Sequence, residues 1–490
     1  MDEVNIIDTV KAEKKAVNFS VMECVYSIII LLISFGFVRF VIYNTSGFLS
    51  TGVFVAIITA AIIFMRKSDV KLTKFNIALA AVLYLFSTVY SVTDNVLIKF
   101  LDTIFLISGT GYFVYSTALG KKSLERFLPF SLIKAVLEYP FANFSYEFRA
   151  VNSSVRSSKF GSNLKMVIIG LLVTIPLTSV VGMLLMSADD GVADMLGSIL
   201  NFIAAENIWQ IICQVIIALP CACYIFSMLY TNIHREKITP LSDEECEKSI
   251  ANAKCVQNMI IYTAVTPICI LYVMFFISQA NYFLSAFSGR LPDGYIYSEY
   301  ARKGFFELCI ISVINLSVIL IINLLAKKGG RNKPAVLKIY SLILCAFTLV
   351  MIAVAISKMV IYISAYGLTR LRVYTMWFMI LLALFFVIIG IKQLRFEFPT
   401  AKWTAAVFTV MFAVLCFSRP DAIIAKYNIE MYNAGRLDEL DINSLFELSD
   451  DAVLTAIKSG VVTPEDAESE HHSGNDPHNI SSILVNKYLS

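Results

Sequence analysis

Residues Lys338–Ile361 read KIYSLILCAFTLVMIAVAISKMVI, and no charged residue falls between Lys338 and Lys358. At about 1.5 Å of rise per residue, a helix of that length crosses the roughly 30 Å hydrocarbon core of a bilayer. Lipid offers the backbone no hydrogen-bond partners, so a single run of this kind must satisfy its own amides, which a helix does. Working outward in both directions, comparable runs occur at 22–43, 47–65, 75–92, 97–118, 165–186, 207–231, 257–279, 304–326, 373–391 and 401–418. Composition agrees, with 58% hydrophobic and 16% charged residues, where soluble domains carry about 25% charged. The fold class expected is therefore all-α: a polytopic membrane helical bundle of about 11 transmembrane helices with a small helical C-terminal tail.

The net charge of +3 means little as a total; its distribution sets the orientation. Arg66, Lys67, Lys71 and Lys74 follow the second run, and Lys327, Lys328, Arg331 and Lys333 follow the eighth. Loops on the opposite side hold Arg290, Arg302, Lys303, Arg370 and Arg372. Cytoplasmic loops are the ones enriched in Lys and Arg, which places the N-terminus inside and, after eleven crossings, the C-terminus outside. Four regions follow: 1–21, a cytoplasmic N-terminal segment; 22–418, the transmembrane domain; 419–464, a small helical extracytoplasmic tail; and 465–490, a largely disordered C-terminus. The first run follows Lys11, Lys14 and Lys15 without a small-residue cleavage pattern and reads as an uncleaved anchor. Cysteines such as Cys213, Cys269 and Cys345 fall inside apolar runs, so they imply no disulfide framework.

Three features depart from a plain bundle. Pro176, Pro220 and Pro267 sit near the middle of three consecutive runs and predict helix kinks. Such kinks at matching depth suit a central cavity as well as they suit packing. Ionisable residues border or enter the runs: Arg39, Lys99, Asp102, Glu307 and Lys358. Lys99 and Asp102, three apart on one helix face, are expected to pair; Glu307 is expected to pair with Arg302 or Lys303, and Arg39 and Lys358 to snorkel outward. The third feature is the outer connection Asn281–Glu307, whose Ser288-Gly289 and Pro292-Asp293-Gly294 turns precede Tyr295, Tyr297 and Tyr300. The candidate ligand-binding set read from these features is Lys99, Asp102, Asp293, Tyr295, Tyr297, Glu299, Tyr300, Arg302 and Glu307. The alternative for the tyrosines is an aromatic belt at the membrane surface.

The stretch YFLSAFSGRLPDGYIYSEYARKGFFEL at Tyr282–Leu308 resembles bacterial multi-spanning proteins of the 4153/4173 domain-of-unknown-function family. GLLVTIPLTSVVGMLLMSAD at Gly170–Asp189 and PDAIIAKYNIEMYNAGRLDELDINSLFELSDDAV at Pro420–Val453 carry the same resemblance. It implies a multi-pass protein of the bacterial cytoplasmic membrane and supplies no catalytic residues.

In the tail, Asp421 is expected to cap a helix ending near Gly435, and Ser444 and Ser449 to start later turns ending at Gly460. Apolar positions Ile424, Tyr427, Met431, Leu445, Leu448, Val453 and Ile457 need a partner surface, on the outer loops or on another protein. The inner loop 120–163 interleaves Phe127, Phe130, Phe141, Phe144 and Tyr146 with basic residues and suits the inner membrane surface or a protein partner. His471, His472 and His478 are too weakly spaced for a specific metal site.

No GxSxG or HExxH pattern is present, so an intramembrane enzyme is the least favoured reading. No cofactor, metal or nucleic acid is expected. The bilayer is the expected partner, with a protein partner for the tail or loop 120–163 left open. The preferred function is a non-enzymatic sensor or accessory component with an outer-facing site. The alternative is a small-solute transporter with a cavity between proline-kinked helices.

Overall fold

The computed structural model describes residues 19–44, 46–156, 181, 207–235, 238, 242–254, 256–278, 305–327, 335–395, 398–470 and 479–489. In chain order its helices begin with α1 (Val21–Phe37), which runs on into a π-helical turn at Val38–Tyr43, and α2 (Gly47–Lys67). Next come α3 (Lys74–Ser87), α4 (Val89–Val92), α5 (Val96–Ala118), α6 (Leu128–Ile133), α7 (Tyr139–Ala142) and α8 (Tyr146–Arg156). Then follow α9 (Asn207–His234), α10 (Asp243–Ala253), α11 (Asn258–Ser278), α12 (Phe305–Leu325), α13 (Ala335–Tyr366), α14 (Arg370–Leu394) and α15 (Thr400–Phe417). The tail supplies α16 (Pro420–Asn433), α17 (Ile442–Phe446), α18 (Asp450–Lys458), α19 (Pro464–Glu470) and α20 (Ile480–Leu489).

Among the described residues, 10 stretches are long and apolar enough to cross a membrane, and each falls on a run read from the sequence. The remaining run, 165–186, lies outside the described residues, as does Pro176. No strand forms among the described residues; Val256 and Ala326 make one isolated bridge. The chain is an all-α polytopic membrane bundle. It divides into two compact units: Met1–Asn44, Thr59–Ser68 and Leu137–Ile238 form the first, and Thr45–Ile58, Asp69–Val136 and Thr239–Ser490 the second.

In the first unit, α1 starts at a capping box. Ser20 Oγ accepts from the Glu23 amide at 3.3 Å, and Glu23 Oε2 accepts from the Ser20 amide at 2.8 Å. These bonds satisfy donors that a helix start leaves open. α1 packs on α8 and α9, with rings of Phe19, Tyr146, Phe226 and Tyr230 meeting edge-on and stacked. Pro220 lies inside α9, where it removes one backbone donor. On α8, Tyr146, Glu147 and Ala150 are buried while Phe148 is exposed, so the aromatic-rich segment 120–163 contributes an amphipathic helix to this unit.

In the second unit, α3 and α4 form one membrane stretch interrupted at Thr88. α5 packs on α3 and α15, and α13 packs on α11, α12 and α14. The core between the later helices includes Leu308, Ile319, Leu344, Met351, Ile352 and Phe386. Pro267 lies inside α11. The turn from α13 to α14 needs Gly367, whose φ of +73° L side chains rarely adopt. Asn428 of α16 clamps that turn, accepting from the Leu368 amide at 2.7 Å and donating to its carbonyl at 2.9 Å.

The tail helices share a small core: Ala425 and Ile429 of α16, Leu445 of α17, Val453, Leu454 and Ile457 of α18, and Val485 of α20. Tyr427 packs instead against the membrane-helix core. Two expectations for the tail are corrected. Arg419, at φ +52°, occupies the N-cap position of α16, and Asp421 faces inward as a charge partner. Part of 465–490 is helical rather than disordered: α19 lies there, and α20 packs on α18 through the buried Val485. The polar residues that precede it in sequence hide α20, a 10-residue helix that is too short to be stable alone and depends on docking through Ser481, Ser482 and Val485.

Candidate functional site

The turn between α4 and α5, Thr93-Asp94-Asn95, is short and polar, and it lies where the second unit receives the tail. Asn95 is the N-cap of α5, its Oδ1 accepting from the Ile98 amide at 3.1 Å. That leaves its Nδ2 to donate to Asp421 Oδ2 at 2.9 Å and to the Tyr374 hydroxyl at 2.8 Å. Arg370, the first residue of α14, grips Asp421 with a two-pronged fork: Nε to Oδ1 at 3.0 Å and Nη2 to Oδ2 at 2.8 Å. The Ser449 amide adds a fourth donor to Asp421 at 3.2 Å. A fork of this geometry combines charge with directional bonding.

A second ion pair lies beside the first. Arg419 Nε donates to Asp451 Oδ1 at 2.8 Å, and its Nη2 donates to the Ser481 hydroxyl at 2.8 Å. Thr93 donates to Asp451 Oδ2 at 2.7 Å, and Ser481 also bonds Asp451. Both carboxylates have 0% side-chain exposure. Asp94 completes the set, taking Lys99 Nζ at 2.7 Å and Asn479 Nδ2 at 3.0 Å. The α4–α5 turn, the start of α14 and the tail helices α16, α18 and α20 are thus held by one continuous network, termed here the latch. Burial alone would disfavour the charged form of Asp421. The Arg370 fork, the Ser449 amide and Asn95 outweigh it and hold the carboxyl below its ordinary range.

Of the residues read from the sequence, Lys99 and Asp102 share a buried face of α5 but do not pair as expected. Lys99 turns toward Asp94, because the polar turn lies at that end of its helix. Asp102 is 0% exposed, and neither of its oxygens has a hydrogen-bond partner. Glu307 is exposed in the first turn of α12, and its charge reaches Lys358 on α13. Lys358 is 3% exposed, so the expected snorkelling is also corrected: α13 packs against α11, α12 and α14, and the side chain is buried among them. Asp293, Tyr295, Tyr297, Glu299, Tyr300 and Arg302 lie outside the described residues, as do His471, His472 and His478.

The sequence reading missed the latch arginines and Asp451, whose partners are distant in sequence. The pairing of charges at both ends of tail helices with a polar interhelical turn was the available signal. In the first unit it missed two acidic positions. His234 Nε2 lies 2.5 Å from Glu23 Oε1, with the Tyr230 ring stacked on the imidazole. Glu147 of α8 is 2% exposed, and neither carboxyl oxygen is bonded. Burial pushes it up to about 9. No group of three or more His, Cys, Asp or Glu that could hold a metal occurs among the described residues.

The family described as domain of unknown function (DUF4153) matches residues 28–459. No curated protein and no solved structure matches the chain.

Proposed function

We propose that this chain, which belongs to the DUF4153 domain-of-unknown-function family, is a non-enzymatic sensor or accessory component of a bacterial cytoplasmic membrane. The latch is the observation that carries the reading. Two arginine–carboxylate pairs and the Thr93-Asp94-Asn95 turn tie the tail to the ends of α5 and α14. In this reading the tail exchanges between the docked arrangement seen here and a released one, and switching between such arrangements is how a signal at one place is read at another. The lysine and arginine clusters support an orientation with the N-terminus inside and the tail outside.

Orientation is tested with a membrane-impermeant thiol reagent on intact cells, using Ser459→Cys or Ser123→Cys in a chain lacking its ten cysteines. Both positions are exposed. Labelling at Ser459→Cys with protection at Ser123→Cys is expected; the reverse pattern overturns the orientation. The transporter reading rests on Pro220 and Pro267 inside their helices and expects concentrative uptake of a small solute into proteoliposomes. The sensor reading expects none above protein-free vesicles, and expects release of the tail to alter hydrogen exchange in α5.

A further inference from the structure

We propose that Asp102 is a membrane-embedded proton-binding site, whose carboxylate is neutralised by a proton taken up within the bundle. The inference deepens the sensor reading, and rests on it for the link to the tail, by naming the ligand class that the bundle would detect.

Asp102 lies about 9 Å below the first residue of α5, counted at roughly 1.5 Å per residue, and it has no exposed surface. Three donors around it are bonded elsewhere. Lys99, one turn above, is bound to Asp94. Thr103 donates to the Lys99 carbonyl at 2.8 Å, and Tyr90 of α4 donates to the same carbonyl at 3.1 Å. Tyr90 on α4 and Cys416 on α15 lie within electrostatic reach of Asp102, and neither of them is a cation. From α3 the neighbouring contacts to α5 are apolar: Phe86 meets the ring of Phe105, and Leu83 closes on Gly109. The Phe412 ring of α15 stacks on Phe86 and contacts Phe105.

A carboxylate left bare at such a position is costly in a bilayer, which is why intramembrane acids are paired or bind what they transport or sense. Among the described residues no side chain hydrogen-bonds to this one, and in this proposal a proton taken up from outside the chain removes its charge. Asn95, Lys99 and Asp102 follow one another at i, i+4 and i+7 on one face of α5. The first two of these residues belong to the latch, so a change of charge at Asp102 is one helix turn from the groups that hold the tail.

The test is modification by dicyclohexylcarbodiimide, an apolar reagent that attacks neutral carboxyls. It is applied to the full chain in vesicles and read by mass spectrometry of the α5 peptide. An adduct at Asp102 that is absent from Asp102→Asn is expected. Yield falling at least tenfold between pH 6 and pH 9 without a salt effect identifies the proton as the ligand. Protection by sodium or potassium chloride at fixed pH and ionic strength overturns the proposal, because the carboxylate then holds a metal ion and not a proton. Glu147, a second buried carboxyl without hydrogen-bond partners, is the internal control for reagent access. Adduct at Glu147 with none at Asp102 at any pH, in salt-free or salt-containing buffer, overturns the proposal. Because labelling uses the native chain, this failure is separate from failure of the latch, which is read by exchange in the tail.

Discussion

Replacing Arg370 with alanine removes two of the four donors that reach Asp421 and the only charge among them. The carboxylate, 0% exposed in the intact chain, would keep only Asn95 and the Ser449 amide as partners. Breaking a buried pair from one side costs about 3–5 kcal/mol. Arg370 itself is 40% exposed, which puts this pair toward the lower end, near about 3 kcal/mol, or roughly a hundredfold in the docked-to-released ratio of the tail. Asp421→Ala should cost less, because the cation left behind reaches water. Hydrogen exchange on the full chain in nanodiscs provides the assay. Peptides covering α16 and α18 should lose protection strongly in Arg370→Ala, less in Asp421→Ala, and by less than the sum of the two in the double variant. Unchanged exchange in Arg370→Ala, or strict additivity, would refute the claim that this pair holds the tail.

The exposed Lys426–Glu430 pair, 3.8 Å apart, supplies a contrast: Lys426→Ala should change tail exchange by no more than about 1 kcal/mol. The Asp421 carboxyl is depressed in the folded state, so its contribution is complete above the ordinary aspartate value of about 3.9. It is lost as pH falls below that value, which an acid titration of tail protection reads directly. Glu147 behaves oppositely. Its folded value of about 9 lies above the ordinary glutamate range, so the first unit loses stability as pH rises from that range toward about 9 and is level beyond. Glu147→Gln should flatten this slope in thermal unfolding, whereas an unchanged slope would assign it to another group. Gly367→Ala would place a Cβ 2.5 Å from Asn428 Oδ1 at a φ of +73°. It should cost about 1–3 kcal/mol, seen as faster exchange at the α13–α14 turn and in α16.

The membrane architecture was legible in the sequence because its cause is local. Runs such as 97–118 and 338–361 must be helical wherever they lie in a bilayer, since no neighbour is needed to satisfy their backbone. The observed α5 and α13 accordingly sit on those runs. Asp102 and Lys99 stood out for the same reason, as charges inside apolar stretches. What each of them does was decided by tertiary structure: Lys99 had a sequence neighbour of opposite charge at 102 and takes the one at 94, because the turn that holds Asp94 also receives Asn479 from the far end of the chain. Asp421 carried the pattern of a helix cap and became the centre of a four-donor site, because Arg370 and Asn95 arrive from elements 51 and 326 residues away. α20 was invisible because so short a helix acquires its stability from the surface on which Ser481 and Val485 are buried. Hydropathy is a property of each segment and can be read along the chain; a hydrogen-bond partner is a property of the packed molecule, and only the fold supplied it.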